Sequence, residues 1–266
     1  MEDLDEQHAI DSEAIFRELE EAWLASDAAE RIVVSKERYK GFEEILAVVM
    51  CGFGLTASAM RTAAAAIELT NRGFGHEVGP LVRLTFEHAM AIHSLVTHGY
   101  AAVEAFGRAH AGNLKRLQGV KAFGVPGVQE AESAWMDEFR LAAANTTVGP
   151  ADYAIKMSSI GQSGVEAMAM LYFGWLKTTK TSHAGVISSG NYVRMSDDDT
   201  EVDFQRMFTS DHKYPDCRAV LLAPVLEVLL GYTNLGPTNL VATLPRIMAK
   251  VDVLSDAYLK ARAALH

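Results

Sequence analysis

The sequence predicts an all-α protein, a single helical bundle of about seven or eight main helices. Three observations predict it. Apolar residues recur at three- and four-residue spacing through most of the chain. Proline is scarce, with 7 in 266 residues. Val and Ile cluster almost only inside stretches with that helical spacing, which leaves little alternating pattern for a sheet. At 49% hydrophobic residues, the chain can bury a sizeable core.

Taken in order, residues 1–10 read as a disordered acidic tail, and residues 11–266 as the single bundle domain. Asp11-Ser12 starts the first helix, with Ile15, Phe16, Leu19, Trp23 and Leu24 at helical spacing and Glu18, Glu20 and Glu21 facing solvent. Ser35 can cap a long second helix over 36–70, in which Gly52-Phe53-Gly54 predicts a kink or a close helix crossing. Gly73 in Asn71-Arg72-Gly73 is its stop. The third helix, GPLVRLTFEHAMAIHSLVTH over 79–98, is the clearest of all: Pro80 suits a first turn and Gly99 ends it. Further helices are expected over 100–121 and 129–144, with a turn at 124–127 and one more helical turn at 152–157. Over 163–182, Val165, Met168, Ala169, Tyr172, Trp175, Leu176 and Thr179 mark the expected buried side. Residues 186–208 are the least helical. Weak alternation on both sides of Ser196–Thr200 allows a small β-hairpin there, although a long loop or flap is the stronger expectation. Tyr214-Pro215 opens a helix bent by Pro224, and Gly236-Pro237 separates it from a last helix striped by Leu240, Leu244, Ile247, Val251, Leu254 and Tyr258.

The chemistry that stands out lies in the third helix. Arg83 and Glu87 are one turn apart and can pair. Arg83 and His88 form an Arg-x4-His spacing, but His88 is rotated by about 100° from Glu87. An arginine can stabilise phosphodiester negative charge while a histidine moves a proton, so these residues are either a catalytic site or a structural ion pair. A buried pair would make Glu87→Ala cost a few kcal/mol. His183 ends the 163–182 helix, where the helix dipole favours its protonated form. Lys177, Lys180 and Tyr172 on that helix are candidate substrate contacts, with Tyr172 and Trp175 also able to line a small-molecule pocket. Asp211, His212, Asp216 and Cys217 cluster in sequence but read as a polar loop and helix start rather than metal ligands. No Glu-x-x-His pair, His-Glu-x-x-His, phosphate loop or nucleotide-binding glycine motif occurs, so neither metal nor cofactor is expected.

The formal net charge of -10 weakens generic affinity for nucleic acid or anionic lipid. The two cysteines stand far apart and read as reduced, buried thiols. The uncharged stretch Ile45–Met60 is shorter than the roughly 20 residues of a bilayer span. It is expected to be a buried central helix, and with an acidic, non-signal N-terminus the expectation is a cytoplasmic protein without a membrane.

Leu81-x-Arg83-x-x-x-Glu87 in an Ala-rich helix, followed by a Tyr172-containing helix ending in Ser182-His183, resembles a bacterial domain family of unknown function related to the HEPN helical bundles. The resemblance spans about residues 37–235 and rests on these short motifs. It implies an all-α homodimer and, as in active HEPN members, metal-independent RNA cleavage in defence or stress. Arg83 would then stabilise the phosphorane and His88 act as acid and base, with Glu87 and His183 completing the site. The chain differs from active members in carrying Leu84 after the arginine, in placing the motif in its first half, and in having no basic track for RNA. Two other functions fit the residues: a non-catalytic binding or regulatory module with a structural Arg–Glu–His network, and a small-molecule-binding bundle.

Overall fold

The computed structural model describes residues 2–26, 43–75, 77–109, 166–182, 193–195, 202–204, 216–236 and 238–264. It is an all-α bundle. Helix α1 spans Glu2–Leu24, α2 Glu43–Asn71, α3 Gly79–His98, α4 Glu166–Ser182, α5 Cys217–Thr233 and α6 Leu240–Ala263, with a further helical stretch over residues 100–109. One hairpin accompanies them: β1 (Val193–Met195) pairs antiparallel with β2 (Val202–Phe204), Arg194 opposite Asp203. It falls in the segment expected to be a loop or flap, and its short alternating arms form the hairpin that the pattern allowed. The helices expected at 129–144 and 152–157 lie outside the described residues.

The acidic segment expected to be a tail is helical from Glu2 onwards. Its charges have partners that the local pattern does not reveal: Glu6 pairs with Arg218 of α5, and Asp5 accepts from Tyr258 of α6. Along α1, Ala9, Ile15, Phe16, Leu19 and Trp23 are buried. Trp23 meets Phe53 and Tyr232 with ring centroids 5.5 and 5.6 Å apart, joining α1 to α2 and α5.

Helix α3 packs against α2, α5 and α4. Gly73, with φ +89°, turns the chain between α2 and α3. Gly99, with φ +55°, ends α3 and donates its N–H to the Leu95 carbonyl at 2.8 Å. Cys217 at the start of α5 lies against Thr70 and Ala66, and Tyr232 and Leu235 at its end lie against Gly52. α5 therefore runs antiparallel to α2. A Cβ at Gly52 would overlap Leu235, so this glycine permits a close crossing inside a continuous helix. Glycines do the same at two other contacts: Gly174 of α4 faces the Phe86 ring, and Gly231 of α5 faces Ile92. Pro224 is accommodated within α5.

Two burial expectations need correction. The first two turns of α2 are not buried: Ile45 is 61% and Met50 65% exposed. The helix is long and apolar enough, by length and composition, to cross a bilayer, and 22% of its most apolar window is buried. On α4 Met168 is buried and Tyr172 and Trp175 pack against the core as expected, but Leu171 is buried too, while Ala169 and Leu176 are exposed. The fit of Gly174 onto Phe86 sets that rotation, which the apolar spacing alone leaves open between neighbouring faces.

Candidate functional site

Arg83, Glu87 and Trp175 form one connected group where α3 crosses α4. The Arg83 Nε–H donates to Glu87 Oε1 at 2.8 Å, as one-turn spacing requires. The same Oε1 accepts the Trp175 indole N–H at 2.9 Å. The Arg83 guanidinium lies over the Trp175 ring, 5.1 Å from its centroid. Tyr172 stacks on Trp175 with centroids 5.7 Å apart and planes 15° apart. One carboxylate oxygen and one indole thus form a polar link between the two helices.

The pair is only partly shielded. The Arg83 side chain is 22% exposed and that of Glu87 31% exposed. Removing Glu87 leaves a guanidinium that water can reach, so its loss costs less than that of a sealed pair.

His88 is on the same helix but has a different partner. Its Nδ1 lies 2.7 Å from the Leu84 carbonyl oxygen. A carbonyl oxygen can only accept, so Nδ1 carries the proton and the neutral ring leaves Nε2 as a base. Burial pushes the ring below its ordinary value of 6.5, opposed by the Leu84 bond and the Glu87 charge. His88 is therefore neutral near pH 7, which suits a base and not an acid.

The expected contributions from α4 divide. Tyr172 joins the Trp175 stack. The Lys177 Nζ sits 4.5 Å from the Phe173 ring centroid. That places it two residues and about 160° around the helix from Trp175, so it does not converge with the Arg83 group. His183 and the side chain of Lys180 lie outside the described residues, and so does the expected convergence of His183 with Arg83.

The loop-and-helix cluster at 211–217 shows what two of its members do. Asp216 caps α5, accepting the backbone N–H of Arg218 at 2.8 Å and its guanidinium Nε–H at 2.9 Å. Cys217 is buried, its Sγ 2.8 Å from Thr70 Oγ1, and burial pushes its thiol up to about 11. Cys51 is half-buried, and burial raises its thiol too. Asp211 and His212 lie outside the described residues.

Two features are not evident from local spacing. One is Trp175 as the partner of Glu87, although a shielded indole N–H demands an acceptor. The other is Arg218, whose side chain is only 12% exposed and reaches Asp216, Glu6 and Glu13. Arg218 thus gathers three carboxylates at the α1/α5 junction. Asp216 two residues before Arg218, at a helix start, is the only local sign of it.

Compared with known protein families, characterised proteins and solved structures, the chain matches none.

Proposed function

We propose that this chain is a non-catalytic helical binding or regulatory module, and that Arg83, Glu87 and Trp175 are its structural tie. The observation that carries this reading is the double use of Glu87 Oε1, which accepts from both Arg83 and Trp175. A guanidinium engaged by a carboxylate and stacked on an indole is held in place within the fold. His88 has a separate partner, its Nδ1 bonded to the Leu84 carbonyl of its own helix.

The competing activity is the metal-independent RNA cleavage that the resemblance implies. The test is RNA cleavage without metal by wild type, Arg83→Ala and His88→Ala on structured and unstructured RNAs. The module reading predicts no cleavage above buffer in any of the three. Cleavage by wild type that is lost in variants with an unchanged circular dichroism spectrum would overturn it.

A further inference from the structure

We propose that His8 is an acid-sensitive latch that holds the distal half of α6 against α1. The proximal half of α6 belongs to the core through Leu240, Leu244 and Ile247. Beyond Ile247, none of its described residues is buried. That half is tied to α1, which runs antiparallel to it. Lys250 pairs with Glu18, and the Tyr258 hydroxyl donates to Asp5 Oδ1 at 2.6 Å. The His8 ring stacks on Tyr258 with centroids 4.1 Å apart and planes 17° apart.

The latch lies in the Nδ1 atom of His8, which is buried with no hydrogen-bond partner among the described residues. In the neutral ring it can present a lone pair, a small deficit. Protonation puts a charged N–H there with no acceptor, which costs far more. One oxygen of each nearby carboxylate is already engaged, Asp5 Oδ1 by Tyr258 and Asp11 Oδ1 by Gln7, and neither carboxylate bonds Nδ1. The charged and titratable groups facing His8 are Asp5 and Asp11 from α1, and Tyr258 and Arg262 from α6. Arg262 lies 5.9 Å from the Tyr258 ring centroid. From α5, Arg218 engages Glu6 and Glu13, about 160° and 140° around α1 from His8. Burial outweighs the pull of Asp11 and Asp5 and holds the ring below its ordinary value of 6.5. The detached state therefore binds the proton more readily, and acid favours release.

The test is amide hydrogen exchange of the full chain at about pH 5 and about pH 7.5, corrected for intrinsic rates, with α3 as internal reference. Wild type should lose severalfold more protection over residues 251–263 than over α3 at the lower pH. His8→Phe, which preserves the stack without the titration, should lose no more protection there than α3 does. His8→Gln should be less protected at both pH values and likewise lose no more than α3 does, and it decides the matter if the phenylalanine variant does not fold. The same acid-induced loss in either folded variant, or a wild-type loss shared equally by α3, would overturn the proposal.

Discussion

Glu87 Oε1 accepts two donors from two helices, and the energies of those bonds are individually modest. A net hydrogen bond contributes about 1 kcal/mol, and a partly exposed ion pair at one-turn spacing about 0.3–0.5 kcal/mol. The group matters through its position at the α3/α4 crossing more than through its strength. Arg218 differs, being more enclosed and facing three carboxylates. Arg218→Met should cost about 2–3 kcal/mol in urea unfolding, because it leaves Asp216, Glu6 and Glu13 without their common cation. A loss below about 0.5 kcal/mol would show that those carboxylates are satisfied by water. Burial lowers both His88 and His93, so the unfolded chain takes up protons first as pH falls through 6.5. Their contribution is fully present above that value and declines below it. Thermal melts from about pH 7.5 to about pH 5 should show a falling Tm, and the fall should be smaller in His88→Gln. An equal fall in that variant would remove His88 from the account.

At the scale of elements, glycines govern how closely α3 is approached. Gly231 faces Ile92, which is fully buried and β-branched, so an added methyl has little room. Gly54, in the same kind of helical backbone, has nothing within contact range. Alanine gains about 1 kcal/mol over glycine in a helix interior, whereas overpacking costs about 1–3 kcal/mol. Gly54→Ala should therefore raise the Tm and Gly231→Ala lower it. A Tm raised by Gly231→Ala would contradict the α3/α5 contact, and one lowered by Gly54→Ala the open space at that position. The third helix was legible because its punctuation is local: Pro80 at its start, Gly99 at its end and an unbroken apolar face between them. The Arg83–Glu87 pair was legible for the same reason. Trp175 was not read as its partner because it lies 88 residues away, and sequence spacing says nothing about which helix crosses which. The inward side of α4 was legible in Met168, Tyr172 and Trp175 but not in Leu171, since its exact rotation depends on Gly174 meeting Phe86.

Across the whole molecule, α3 lies among α2, α4 and α5, while α1 closes on α5 and pairs with α6. The all-α class was legible because hydrophobic period and scarce proline act throughout the chain. The order of α1 was not, because an acidic N-terminal segment looks solvated until Arg218 and Tyr258 are brought against it. The exposure of the first two turns of α2 was hidden too: composition marks them as apolar but cannot say which apolar turns reach the centre.

Glu87 ties α3 to α4 by accepting the Trp175 indole N–H while it pairs with Arg83 in its own helix. A double-mutant cycle measures this directly, using urea unfolding of wild type, Glu87→Ala, Trp175→Phe and the double variant. Phenylalanine keeps a ring beneath Arg83 and removes the indole N–H. The account predicts a coupling of about 1 kcal/mol, with the second change nearly silent once the first is made. Additive losses, with coupling below about 0.3 kcal/mol, would contradict it.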